Sequence, residues 1–258
     1  MCIVLWASDC HDKYKLVVAA NRDEFYQRPT LPAEFWPENP AILAGKDMKH
    51  GGTWMGITLA GGFATLTNFR DPANYNPNAP SRGHLVQEYL ESTADAQSYM
   101  QKILAAGLDF NGFNLLAGTV DELYYLSNQE RIIRPVAKGY HGLSNSLLDV
   151  PWPKVTRGLR NLAACLQKSH IEVEDLFEMM ADRHQPPDQQ LPQTGVSLEM
   201  ERLLAPAFVE MQDYGTRTTT VILVDRNNLV QFRERSFVPP LQGNWTEVRY
   251  QFQLEADI

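Results

Sequence analysis

Short apolar runs in this chain arrive in pairs, and pairs of amphipathic segments separate them. Residues 2–7 and 15–20 are apolar runs split by a polar turn over 8–13, the pattern of two strands. Residues 53–59 and 63–67 form a second pair across Ala60-Gly61-Gly62, a hairpin signal. Residues 81–107 then change period. Leu85, Val86, Tyr89 and Leu90 fall on one helical face, as do Tyr99, Met100, Ile103 and Leu104. Ser81 reads as a cap for the first helix, Ser92 with Asp95 as a cap for the second, and Gly107 as its stop. Residues 112–117 and 123–127, followed by 131–134, return to strand spacing. Helical spacing covers 154–168, 172–184 and 197–204, and a hairpin spans 218–224 and 229–234. The stretches 29–50, 71–80 and 185–193 are rich in proline and are expected to be loops. Strand pairs alternating with helix pairs point to a layered α+β fold, and a four-layer αββα sandwich satisfies the order. No repeat and no linker divides the chain, so one domain over residues 1–258 is expected.

Charge and cysteine content narrow the function classes. A net charge of −8 gives no long-range attraction for nucleic acid or an anionic membrane. No run approaches the ~18 apolar residues of a membrane span. The apolar start is too short for a secretory core and runs into Asp9. Cys2, Cys10 and Cys165 are odd in number and irregular in spacing, which argues against a disulfide framework. A cytoplasmic protein that binds a small molecule is the expectation. No zinc spacing and no glycine-rich nucleotide loop is present.

Polar residues at strand ends are where a rigid frame can carry chemistry. Cys2 heads the first strand. With Met1 removed, its thiol would sit beside its own α-amine, a base with a pKa near ~8 in model compounds. Asn21-Arg22-Asp23-Glu24 ends the second strand, and Asn68 ends the strand of residues 63–67, with Arg70 just after it. Asn145 lies in the run from His141 to Ser146, and Arg217 opens the strand at 218. A cysteine attacking an acyl carbon needs a proton acceptor, amide donors for the oxyanion and a cation to favour the thiolate. Cys2, Asp23, Asn68, Asn145 and Arg217 could fill these roles. The same residues also suit plainer ones. Cys2 fits as a small buried hydrophobe, the asparagines as turn residues, and Arg22 with Asp23 as a solvated ion pair.

Several motifs bear jointly on this choice. They are Met1-Cys2-Ile3-Val4, Asn21-Arg22-Asp23-Glu24, Gly51-Gly52-Thr53-Trp54-Met55-Gly56, Leu66-Thr67-Asn68-Phe69-Arg70, Ser81-Arg82-Gly83 and Gly142-Leu143-Ser144-Asn145. Together they resemble the NRDE, or transport-and-Golgi-organisation-2, family. The resemblance implies haem handling in cells, with acyl-CoA binding as a second possibility. A more distant similarity is to the choloylglycine and penicillin V hydrolases, N-terminal nucleophile (Ntn) enzymes of αββα fold. It implies that Cys2 is a nucleophile, Asp23 its aspartate, Asn68 the oxyanion asparagine, Asn145 a second asparagine and Arg217 a late arginine. Those enzymes carry an arginine three residues before the aspartate, where this chain has Ala20.

The family resemblance implies a binding or trafficking protein, with Asn21, Arg22, Glu24, Arg70 and His141 as ligand contacts. The alternative is a Cys2-dependent hydrolase of amide or thioester bonds. No cofactor is required in either reading, and haem enters only as cargo. Covalent haem attachment is not expected, because Ala7 stands where Cys10-His11 would need a first cysteine. His50, His84 and His141 adjoin the motifs, and Arg22, Arg28, Arg70 and Arg82 could hold propionates or a CoA phosphate. They also fit as ordinary surface residues.

Overall fold

The computed structural model describes residues 2–107, 109–239 and 244–255. The first pair of apolar runs becomes β1 (Cys2–Ser8) and β2 (Tyr14–Phe25), antiparallel, with Cys2 opposite Arg22 and Ile3 opposite Asn21. β10 (Gly139–Leu143) flanks β1 on its other side. β11 (Tyr214–Asp225), β12 (Leu229–Phe237) and β13 (Trp245–Gln253) continue beyond β2, in the order β10-β1-β2-β11-β12-β13.

The second sheet runs in chain order. It comprises β3 (Thr30–Trp36), β4 (Asn39–Asp47), β5 (Met55–Thr58), β6 (Gly62–Asn68), β7 (Phe113–Thr119), β8 (Leu123–Ser127) and β9 (Ile132–Pro135). All its pairings are antiparallel.

Strand alternation builds the layers. Val4, Trp6, Leu16, Val18 and Ala20 face the other sheet and meet Leu43, Ile57, Phe63 and Leu116 in a core between the sheets. Ile3, Leu5, Val17 and Ala19 face outward, against α3 (Pro153–Leu166) and α4 (Val173–Met180). The outer face of the second sheet packs on α1 (Gly83–Glu91) and α2 (Ala96–Ala106) through Leu85, Val86, Tyr99 and Met100. The result is the αββα sandwich. A short α5 (Leu198–Leu204) follows the proline-rich loop, capped by Ser197. No described helix is long and apolar enough to cross a membrane.

Several local expectations are corrected. Residues 29–50 are not a loop but hold β3 and β4. β3 is an edge strand, and its pairing shifts register between Leu31 and Glu34, around Pro32. An edge position and a bulge are where a strand tolerates a residue without an N–H. Arg82, not Ser81, is the cap residue of α1, and it makes no side-chain capping bond. Asp95 alone caps α2, accepting from the Ser98 N–H at 2.8 Å. β10 and β13 escaped the sequence reading. β10 is five residues with two glycines, and β13 is an edge strand whose exposed residues alternate with half-buried ones.

Candidate functional site

The strand ends singled out in the sequence meet at one end of the sandwich. Cys2, Arg22, Asp23 and Glu24 from the first sheet, Asn68 and Trp54 from the second, and Arg28 and Arg82 from loops line one cavity of ≈ 200 Å³. Cys2 is half-buried, whereas Arg22 and Asp23 are buried. Arg22 and Asp23 therefore do not form a solvated surface bridge.

Arg22 lies one strand partner from Cys2 and is held on three sides. Its guanidinium sits 4.3 Å from the Trp54 ring centroid, donates to Thr30 Oγ1 at 3.2 Å and approaches Glu24 at 3.9 Å. Trp54 owes its place to Gly45. A Cβ at Gly45 would lie 2.6 Å from Trp54 Cζ2, so the indole occupies the space left by the missing side chain of β4. Arg28 is neutralised more fully, donating from Nε to Asp47 Oδ2 at 2.9 Å and pairing with Glu24 at 3.5 Å. Ala20 lies on the same face of β2 as Arg22, two residues deeper in the core.

The two asparagines take different places. Asn68 lines the cavity, and its side-chain amide has no hydrogen-bond partner among the described residues. Asn145 lies behind it. Its Nδ2 donates to the Asn68 carbonyl at 2.9 Å, while the neighbouring Ser144 Oγ donates to the Cys2 carbonyl at 3.2 Å. Asn145 and Arg70 instead line a second cavity of ≈ 480 Å³, with Phe69 and Trp152.

The remaining candidates lie off the Cys2 cavity. Arg217 spends Nη1 on the carbonyls of Phe25, Tyr26 and Arg28, at 2.9 to 3.0 Å, and so clamps the turn after β2. Asn21 points to the helix side. It donates to the carbonyls of Met180 and Ala207, both at 2.8 Å, and accepts from Thr219 Oγ1 at 2.6 Å. His141 stacks on Trp6 and bonds Asp149 through Nδ1 at 2.7 Å and the Ala137 carbonyl through Nε2 at 2.9 Å.

Behind Cys2, on the helix side, Asp23 and Arg70 join Lys154 and Glu201, which had not stood out in the sequence, in a buried charged cluster. Thr216 Oγ1 donates to Asp23 Oδ1 at 2.8 Å, and the Tyr214 hydroxyl donates to the Asp23 carbonyl at 3.0 Å. Lys154, the second residue of α3, is buried and donates from Nζ to the Leu204 carbonyl at 3.1 Å. Arg70 pairs with Glu201 at 2.7 Å, both buried, and lies 4.9 Å from the Trp152 ring centroid. An ammonium in the first turn of a helix opposes the helix dipole. Its stabilisation therefore comes from the carboxylates, Asp23 foremost. A lysine in an amphipathic helix gives no sign of burial in sequence; only the tertiary packing reveals it.

These charges set the protonation states. Burial pushes the Cys2 thiol above its ordinary pKa, and the Asp23 charge adds to the rise. Arg22 and the Asp23 backbone N–H pull the other way. The thiol is thus protonated at neutral pH and needs a base. Burial also raises the Asp23 carboxyl, opposed by Lys154, the Thr216 hydroxyl and Arg70. Lys154 is pulled down to about 8 by burial, with Asp23 resisting. No cluster of His, Cys, Asp and Glu suited to a metal ion is present among the described residues.

Two antiparallel sheets between helix layers, with a cysteine heading an inner strand, define the Ntn-hydrolase class of fold. Solved structures agree. A conjugated bile acid hydrolase from Clostridium perfringens superposes with a TM-score of 0.52 at 9% identity, covering 100% of this chain and 99% of that one. An N-acylethanolamine-hydrolyzing acid amidase ortholog from Caenorhabditis elegans gives 0.51 at 10% identity, covering 86% and 92%. At such identities the likeness concerns the fold alone.

The chain belongs to the Transport and Golgi organisation 2 family, whose model matches residues 1–239. The Transport and Golgi organization protein 2 homolog of Bos taurus is 36% identical, over 99% of this chain and 100% of its own length. The Homo sapiens homolog is 35% identical with the same coverage. The Drosophila melanogaster protein is 28% identical over 98% of this chain and 99% of its own.

Proposed function

We propose that this protein cleaves amide or thioester bonds through Cys2. The observation that carries the reading is that Cys2, Arg22, Asp23 and Asn68 line one cavity, with Lys154 and Arg70 buried behind the aspartate. In this mechanism Cys2 Sγ bonds to the acyl carbon while the thiol proton passes to the Cys2 α-amine. The amine returns that proton to the leaving nitrogen or sulfur as its bond to carbon breaks, and water then releases the acyl group from sulfur. Asn68 offers its free amide to the oxyanion. Arg22 favours the thiolate. Residue 1, whose removal frees the α-amine, lies outside the described residues.

The second reading is a carrier for haem or acyl-CoA, in keeping with the transport named in the relatives' descriptions. Arg28, Arg82 and His50 in the cavity wall, beside an exposed Tyr75, favour it. The cavity's ≈ 200 Å³ is below the ~300–1,000 Å³ usual for ligand pockets, and its wall is mostly polar rather than apolar. A porphyrin would lie largely outside it, which is why hydrolysis is preferred.

Incubating protein from its native host with a panel of acyl thioesters and amides decides between them. Intact mass should show a Cys2-linked acyl adduct, turnover lost in Cys2→Ala, and a native mass one methionine short. Haem or acyl-CoA binding that survives Cys2→Ala, with no turnover of any acyl compound, would leave the carrier.

A further inference from the structure

The charges around the Cys2 cavity pair off with one left over. Arg28 is taken by Asp47 and Glu24, and Arg22 lies between Glu24 and the Trp54 ring. Asp23 is balanced from behind by Lys154 and Arg70, and Arg70 by Glu201. Arg82 remains. It makes no ion pair among the described residues, yet it lines the same cavity as Cys2. A cation desolvated by burial and left without a counter-ion in a cavity wall is a costly arrangement unless an anion joins it.

Arg82 is also fixed in place. Its Nη1 donates to the Gly112 carbonyl at 2.8 Å. The loop before it is tied to the same strand end, because Asn111 Oδ1 accepts from the Asn76 N–H at 2.8 Å and Asn111 Nδ2 donates to the Asn76 carbonyl at 2.7 Å. The guanidinium therefore pays little conformational entropy to meet a ligand. Its remaining N–H groups form the fork that matches a carboxylate.

We infer that Arg82 selects the substrate, and that the acyl compound attacked by Cys2 carries a carboxylate a short chain away from the scissile carbonyl. The substrate half rests on the hydrolase reading; the anion preference of the cavity does not. The ≈ 200 Å³ of space that Cys2 and Arg82 share limits the separation to a few carbon atoms.

The test uses two pairs of probes on the full-length protein, as wild type, Arg82→Gln, Arg82→Lys and the exposed control Arg160→Gln. Iodoacetate and iodoacetamide alkylate a thiol with loss of iodide and differ in charge but little in size. Peptide mass spectrometry reads Cys2 modification, with rates normalised to free cysteine. The expected iodoacetate preference at Cys2 is about tenfold above that of free cysteine, lost in Arg82→Gln, largely kept in Arg82→Lys and unchanged in Arg160→Gln. The second pair is a glutaryl and a pentanoyl thioester, with the glutaryl compound favoured by a similar factor in wild type and Arg160→Gln and no longer favoured in Arg82→Gln. An unchanged preference in a folded Arg82→Gln variant overturns the inference, as does a Cys2 inert to both alkylating reagents. Iodoacetate preference that depends on Arg82, without turnover of either thioester, would sink the hydrolase reading and leave the anion site standing.

Discussion

The side-chain amide of Asn145 donates to the backbone carbonyl of Asn68 at 2.9 Å, so the two asparagines act in series. Asn68 faces the cavity and Asn145 holds its backbone. Replacing Asn68 by Ala should cost roughly 100-fold in turnover, the scale of one oxyanion donor. Asn145→Ala should cost about tenfold, through misplacement of Asn68. Because both act on one interaction, the double variant should be no slower than Asn68→Ala alone. Steady-state kinetics on a thioester measures all three, and additive losses would refute the serial arrangement.

Lys154 should make stability depend on pH in a defined window. Its pKa falls to about 8 in the folded protein, chiefly through burial, against ~10.4 when unfolded. Between these values the unfolded chain binds more protons, so stability rises with pH across the window. Below it the lysine is charged in both states and the penalty is constant. Lys154→Met lacks this slope. Wild type should gain on it by at most ~3 kcal/mol between pH 8 and 10 in urea titrations. Parallel curves would show that the ammonium is not desolvated.

Glu234 joins the two sheets. Its carboxyl accepts from the Ala33 N–H of β3 and from Thr220 Oγ1 of β11, both at 2.9 Å. Glu234→Ala should destabilise by about 3 kcal/mol, leaving a buried N–H unpaired beside a cavity. Glu234→Gln should cost about 1 kcal/mol at pH 4. Burial raises this carboxyl's pKa, so the folded state binds the extra proton and wild-type stability falls as pH rises above ~4.3. The penalty of Glu234→Gln should therefore shrink between pH 4 and 7.

The hydrogen bond from His141 to Asp149 raises the histidine's pKa. Its stabilisation is full below the unfolded value of ~6.5 and fades as pH rises through the higher folded value. Asp149 is partly exposed, so solvent limits the effect to about 1 kcal/mol or less. Thermal melts of wild type and His141→Gln should differ most near pH 5.5 and converge toward pH 8.

What the sequence revealed followed from local pattern. Period-two runs marked β1, β2, β5 to β8, β11 and β12, and polar residues at their ends marked Cys2, Asp23 and Asn68. The order of the blocks was enough to imply four layers. β3 and β4 were hidden because prolines at 32, 37 and 40 read as breakers, although Pro32 sits at the irregular pairing of the edge strand β3, Pro37 in the turn after it and Pro40 at the start of β4. Lys154 and Glu201 were hidden because each sits in an ordinary amphipathic pattern, and the opposite charges they meet, Asp23 and Arg70, each lie 131 residues away in the chain. Asn145 and Arg217 stood out as types, but only the fold shows that their donors are spent on backbone carbonyls.

Gly45 carries no charge and touches no ligand, yet the position of Arg22 depends on its missing side chain. One added methyl would lift the Trp54 indole from β4, and the guanidinium stacked on that indole would move with it. An alanine there would keep every ionisable residue of the cavity while changing the potential felt by the thiol, with a packing cost because Trp54 belongs to the core between the sheets. A loss of function at Gly45 would then trace to electrostatics transmitted through an aromatic ring, at a residue with no electrostatics of its own.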